Sequence, residues 1–160
     1  MRAIILSDSH GDVRACAAAI DAMQPCDMII HLGDIQRDVE FIKKEYRDIP
    51  VFSVMGNNEQ LLFGETEDVI QFGDWRLFIC HGHTLGVHRG TERLEAAARR
   101  NGCHAALFGH THIPVFEKRD DGLLVINPGS VSRPRSGGES FAVLETDGAF
   151  LDGLIVDWVL

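Results

Sequence analysis

Five short apolar runs in this chain each stop abruptly at a cluster of glycine, carboxylate, carboxamide or imidazole. Ala3–Leu6 leads to Asp8-Ser9-His10, and "MIIHL" leads to Gly33-Asp34. "VFSVM" meets Gly56-Asn57-Asn58-Glu59, "RLFIC" meets His81-Gly82-His83, and "HAALF" meets Gly109-His110-Thr111-His112. Runs this short and this apolar read as strands buried on both faces, which is the signature of parallel pairing under helices. Between the first three runs lie helical stripes. Val13, Cys16, Ala17, Ile20 and Met23 follow a capping Asp12 and stop at Pro25; Val39, Ile42 and Tyr46 mark the second stripe. The alternation predicts β-α-β-α-β, and parallel strands carry the polar clusters to one sheet edge, where open α/β sheets bind ligands.

The second half changes character. "DVIQFGDWRLFIC" reads as two strands joined at Gly73-Asp74, and "PVFEKRDDGLLVI" and "SFAVLETDGAFLDGLIV" read as hairpins around Asp-Gly. Thr91 to Asn101 reads as a third helix, with Arg99 and Arg100 in its last turn and Gly102 beyond it. There is no low-complexity linker or internal repeat. The expectation is an α/β chain, one domain over residues 1–160, with two mixed β-sheets face to face and helices outside.

Charge and cysteine usage narrow the function. The 160 residues carry 24 acidic against 15 basic side chains, a formal net charge of −9. Such a surface repels a polyanion, so no extended nucleic-acid face is expected and a nuclease is disfavoured. A small anion at a locally cationic site remains compatible. The four cysteines, Cys16, Cys26, Cys80 and Cys103, are widely spaced and form no Cys-x-x-Cys pair. They read as buried thiols of a reducing compartment. The apolar stretch before Ser7 is too short for a signal peptide, and no run reaches the roughly 18 residues of a membrane span. A cytoplasmic protein without a membrane partner is expected; oligomeric state cannot be read.

The polar clusters gather two carboxylates, one or two carboxamides and four or five imidazoles, with no thiolate. Mixed oxygen and nitrogen donors suit Mn²⁺, Fe, Co, Ni or Zn²⁺ better than Ca²⁺ or an iron–sulfur cluster. The set is too large for one ion with open positions and suits two ions sharing a carboxylate.

In this order and spacing, "DSH", "GD", "GNN", "HGH" and "GHTH" resemble the five motifs of the calcineurin-like metallophosphoesterase superfamily: D-x-H, G-D, G-N-H-[DE], G-H and G-H-x-H. The match runs from Asp8 to His112, and the small size is similar to the compact YfcE-type phosphodiesterases. The resemblance implies a four-layer α/β/β/α sandwich and two divalent transition-metal ions, Mn first among them. Carried over by position, Asp8, His10 and His112 would hold one ion, Asn57, His81 and His110 the other, with Asp34 bridging. It implies hydrolysis of a small phosphodiester by in-line attack of a metal-bridging hydroxide. Two divalent ions with Asp8, Asp34 and a hydroxide sum to about +1, enough to draw a phosphate to an acidic protein. The alternative is a weakly catalytic metal-binding scaffold resembling the retromer subunit of this fold.

One motif departs from the pattern. Asn58 stands where the family commonly has histidine, and an amide donates a hydrogen bond without transferring a proton. Asp34, Asn58 and His83 are therefore the catalytic candidates, and Asn58, His83 and Arg133 the candidate substrate contacts. Arg133 enters because Pro114–Lys118 leads away from His112 and Leu123–Ile126 returns over a similar length. A hairpin there would lay Asn127–Ser130 beside the metals and carry "SRPRSGG" to the substrate, where Arg133 or Arg135 would hold a phosphate oxygen; a solvated loop is expected more for Arg135 than for Arg133. His31, His88 and His104 are expected to have no part in the site. Phe41, Phe52, Phe63 and Phe116 are expected in the core and Cys80 as a buried thiol. No dinucleotide or P-loop fingerprint is present.

Overall fold

A computed structural model of the chain describes residues 1–58 and 64–158. Strands β1 (Arg2–Leu6), β2 (Met28–His31) and β3 (Val51–Ser53) are parallel, and helices α1 (Val13–Ala22) and α2 (Gln36–Glu45) make the crossovers. The β1–β2 register runs from Ala3 opposite Met28 to Leu6 opposite His31, so both strands reach their polar turns together. On the other side of β1 lie the antiparallel β9 (Glu139–Thr146) and β10 (Leu151–Trp158), giving the order β10-β9-β1-β2-β3.

The second sheet holds β4 (Glu67–Phe72), β5 (Trp75–Cys80), β6 (Ala105–Leu107), β7 (Val115–Lys118) and β8 (Leu124–Asn127), in the order β4-β5-β6-β8-β7. Its central strands β5, β6 and β8 are parallel, with helix α3 (Glu92–Arg100) between β5 and β6, while both edges are hairpin strands. Both sheets are mixed, as expected.

The continuous apolar runs are explained by what each strand face meets. Ala3, Ile5 and Ile30 of the first sheet join Leu77, Ile79, Leu107 and Ile126 of the second in one buried cluster between the sheets. Ile4, Leu6 and Ile29 turn the other way, onto Cys16, Ile20 and Ile42 of the helices. Phe78, Ala106 and Val125 likewise pack on Leu94, Ala97 and Ala98 of α3. The result is the four-layer α/β/β/α sandwich. Asp12 caps α1 by accepting from the Ala15 amide at 3.0 Å, and α3 ends at Gly102 in the left-handed conformation, both as expected.

The aromatic residues are placed differently. The fully buried rings are Phe72, Phe108 and Phe141, whereas Phe41, Phe52 and Phe116 are only partly buried against the core clusters. Phe63 and Glu59 lie outside the described residues. Among the described residues, no helix is long and apolar enough to cross a membrane.

Candidate metal centre

The described residues contain five non-glycine residues with positive φ: Asp8 (53°), His10 (47°), Asp34 (105°), His110 (68°) and His112 (58°). All five are candidate ligands. Left-handed backbone is costly for residues with a Cβ, so its concentration in three turns marks geometry imposed by more than chain reversal. Close backbone contact holds these turns. A Cβ on Gly56 would lie 2.4 Å from the Asp34 amide nitrogen, and one on Gly109 would lie 2.0 Å from Ser7 Oγ. No side chain fits at either place.

The turns bring the donors into two overlapping groups. Asp8, His10 and His112 offer ligand atoms within 4.8 Å of one another, as do Asp8, Asp34 and His81. Asp8 Oδ1 lies 3.2 Å from His112 Nε2, and His10 Nε2 is also 3.2 Å from that nitrogen. Asp34 stands between the groups, with Oδ2 2.9 Å from His10 Nδ1 and Oδ1 3.9 Å from His81 Nε2. Asn57 Oδ1 lies 3.0 Å from His81 Nε2, and the His110 ring is centred 5.0 Å from that of His81. All seven expected ligands are thus gathered at the C-terminal strand ends.

Two imidazoles have their tautomers fixed by carbonyls, which only accept. His81 Nδ1–H donates to the Leu32 carbonyl at 2.7 Å, and His112 Nδ1–H donates to the Arg133 carbonyl at 2.6 Å. In the neutral rings each Nε2 then presents a lone pair, toward Asn57 Oδ1 and Asp8 Oδ1 respectively. Acceptor faces acceptor, an arrangement that a cation or a proton must reconcile. This donor set fits divalent transition metals, and a backbone partner on the far ring nitrogen is the usual support of a ligating histidine.

The electrostatics agree. Burial alone would raise the Asp8 carboxyl, but the His112 bond, the nearby His81 and the Ser7 hydroxyl, which donates at 2.6 Å, hold it below its usual value. The same Asp8 bond raises His112 against the opposing effect of burial. His110 is pushed down to about 4, by burial first and then by His81 and His88. His10 is lowered mainly by burial, despite the attraction of Asp34.

Asn58 donates from Nδ2 to both Asp34 oxygens, at 2.7 and 2.8 Å, so its amide is directed at the carboxylate. His83 begins a short 3-10 turn (His83–Leu85), its ring centred 5.4 Å from His81 and 6.1 Å from His110. Its Nδ1 is buried without a hydrogen-bond partner among the described residues, and burial, followed by His81, lowers its pKa. The returning hairpin lies where expected. Asn127 Nδ2 donates to the Gly109 carbonyl and Thr111 Oγ1, both at 3.0 Å; Ser130 Oγ donates to the Asp8 carbonyl at 2.8 Å. Arg133 supports His112 through its carbonyl while its side chain is exposed, close enough for its charge to disfavour a proton on His10. Arg135 is exposed as expected, although its backbone amide is fastened to the His112 carbonyl at 3.1 Å.

Two features go beyond the sequence reading. His88, expected to be uninvolved, has its ring centred 4.5 Å from that of His110. Its place is set by an irregular segment containing left-handed Gly86 and Gly90, which no periodicity reveals. His31 is hydrogen-bonded, as expected, but within a buried relay. The Gly33 amide donates to His31 Nδ1 at 3.2 Å, so Nε2 carries the proton toward Ser9 Oγ at 3.1 Å; Ser9 Oγ in turn donates to Asp38 Oδ2 at 2.5 Å. Asp38 lies on the inward face of α2 beside Val39 and Ile42, the one sequence signal for it. By contrast, His104 is remote, accepting from the Arg76 amide and stacked edge-on to Trp75, and burial raises the Cys80 thiol well above its usual range.

Comparison with known proteins places this geometry. A phosphodiesterase of Methanocaldococcus jannaschii, MJ0936, is 30% identical over 92% of this chain and 94% of its own. A solved Streptococcus pneumoniae protein, described as a predicted phosphoesterase, has a TM-score of 0.82 at 24% identity, covering 98% of this chain and 88% of the other. A variant of Vps29 from Entamoeba histolytica shares the fold, with a TM-score of 0.75 at 20% identity over 99% of this chain and all of its own. The model of the calcineurin-like phosphoesterase superfamily domain matches residues 1–149, a span that contains every donor described above, and the chain belongs to that superfamily.

Proposed function

We propose that this protein is a binuclear metal-dependent phosphodiesterase acting on a small phosphodiester. The observation that carries the reading is the convergence of Asp8, His10, Asp34, Asn57, His81, His110 and His112, five of them on strained backbone. Asp8, His10 and His112 would hold one divalent ion and Asn57, His81 and His110 the other, with Asp34 between them. When bound, such ions supply a water nucleophile at neutral pH and positive charge for the phosphoryl oxygens. Manganese is the first candidate, and Fe, Zn, Co and Ni suit the same donors.

The remaining residues have distinct tasks. Asn58 orients Asp34 through paired hydrogen bonds and cannot protonate a leaving group. His83, its ring centred 5.4 Å from His81 and 6.1 Å from His110, borders the donor groups as a substrate contact. Arg133 lends positive charge at the exposed rim. Without an acid at Asn58, a diester with a stabilised leaving group suits the site better than an alkyl monoester. The acidic remainder of the surface favours a small substrate over nucleic acid.

The likeness to Vps29 concerns the fold, and a scaffold tolerates loss of donor positions, whereas all seven are filled here. The test is reconstitution of metal-free protein with Mn²⁺, followed by elemental analysis and assay with bis(p-nitrophenyl) phosphate. The expected result is two ions per chain and metal-dependent turnover. A ceiling of one ion, or two ions with no hydrolysis of any diester in a broad panel, would refute the proposal.

A further inference from the structure

A cavity of about 420 Å³ opens beside the clustered turns, lined by Gly11, Val13, Ile35, Arg37, Asp38 and Phe41. Its position follows from the chain. Gly11 directly succeeds His10 and Ile35 directly succeeds Asp34, and those two candidate ligands touch at 2.9 Å. The cavity walls therefore begin one residue away from the proposed phosphoryl site. By contrast, the cavities lined by Arg2, Asp27 and Phe150 and by Trp75, His104 and Phe150 lie at the opposite ends of the parallel strands.

The lining has a definite chemistry. Val13, Ile35 and Phe41 supply apolar surface, and Phe41 is half-buried against the core. Asp38 does not face the cleft as an unsatisfied acceptor, because its buried carboxylate accepts Ser9 Oγ at 2.5 Å and the Gly11 amide at 2.8 Å. Those bonds stitch the first turn of α2 to the turn after β1, so the two walls are held apart at a fixed distance. A Cβ built on Gly11 would meet nothing within 4 Å, which leaves that side open. The guanidinium of exposed Arg37 has no hydrogen-bond or ion-pair partner among the described residues.

We propose that this cleft binds an aromatic arm of the phosphoester, its ring against Phe41 and Arg37 at the mouth. The inference rests on the phosphodiesterase reading of the adjacent centre and adds the substrate class. A methyl arm makes little contact with Val13, Ile35 and Phe41, whereas a planar ring covers more of those apolar walls and meets the face of Phe41. Arg37 suits a ring face or an anionic phosphoryl group, since a guanidinium both stacks on aromatic faces and pairs with phosphate.

The experiment compares two non-hydrolysable ligands with the same anionic head. Titration calorimetry of the Mn²⁺-loaded full chain measures phenylphosphonate and methylphosphonate. Burial of the ring should make the phenyl compound bind about tenfold more tightly. Phe41→Leu removes the flat ring while keeping apolar bulk, and Val13→Phe fills the cleft from the half-buried start of α1. Each should reduce the phenyl-to-methyl ratio to about twofold or less, with circular dichroism reporting the fold; should Phe41→Leu not fold, Val13→Phe carries the test. Equal wild-type affinities, or a ratio that survives both substitutions, would overturn the cleft while leaving the phosphoester site standing. Two bound Mn²⁺ with neither phosphonate binding would likewise overturn the cleft, while the phosphodiesterase reading falls only if diester hydrolysis is absent as well.

Discussion

His31 offers a quantitative test of how the fold supports the site. Burial is the main reason its pKa falls from the ordinary 6.5 to about 4, with Asp38 and Asp8 pulling the other way. The neutral ring also satisfies both neighbours, accepting from Gly33 and donating to Ser9. Protonating Nδ1 would set a donor against the Gly33 amide. The unfolded chain binds this proton below pH 6.5 while the folded chain resists it down to about pH 4, so stability must fall as pH falls through that window. For this group alone, moving from pH 7.5 to 4.5 costs about 2.5 kcal/mol. His31→Gln removes the titration, keeps a donor for Ser9 and loses the acceptor for Gly33, at a cost of roughly 1–2 kcal/mol at pH 7.5. Urea denaturation of the metal-free proteins at pH 7.5, 6.0 and 4.5 reads both effects. The variant should be less stable at pH 7.5, the two curves should cross between about pH 6 and 5, and the variant should be the more stable at pH 4.5. His10, His83 and His110, also lowered, add acid sensitivity common to both proteins and cancel in the difference. Parallel curves would show that His31 is not held neutral by the fold.

Two further outcomes test the site itself. Asp34→Asn should abolish turnover and cut Mn²⁺ stoichiometry below two while circular dichroism stays unchanged, because the carboxylate between the donor groups loses its charge; full loading with wild-type turnover would refute the bridging role. Asn58→His should shift kcat/KM toward the monoester for a diester and monoester sharing one leaving group, as a positioned acid typically contributes about 10²–10⁴-fold; a wild type that already prefers alkyl monoesters would refute the leaving-group argument.

What could be read from the sequence follows the range of the interactions. Strands ending in polar clusters were most legible where burial on both faces leaves a run with no polar alternation, as in Ile4–Leu6 and Ala105–Leu107, whereas the edge strand Val51–Ser53 is only half-buried. Asn127–Ser130 could be placed by counting residues out and back along one hairpin, although Ser130 and Asp8 are 122 residues apart. The relay from His31 through Ser9 to Asp38 had no such ruler, since three elements must dock before its bonds exist. His88 lay beyond pattern because left-handed glycines, not helical or strand periodicity, aim the segment that carries it. The cleft was hidden for the same reason as the relay. Phe41 was expected in the core, and only docking of α2 beside Gly11 gives it and Arg37 a shared cavity.

The strained turns connect these observations. Left-handed backbone at a non-glycine residue costs of order 1–3 kcal/mol, so five such residues approach the net stability of a typical domain, about 5–15 kcal/mol. The turns hold their shape only because buried groups engage them from several directions. Ser130 Oγ takes the Asp8 carbonyl, Ser132 Oγ takes the Ser9 carbonyl at 2.7 Å, Asp38 takes the Gly11 amide, and Asn127 takes the Gly109 carbonyl. Most of these supports come from elements distant in sequence, two of them from the segment that follows β8 in the second sheet. Packing the sheets face to face therefore does more than bury apolar surface. It brings the β8 return across to β1, and that crossing fixes the backbone from which Asp8, His10 and His112 project.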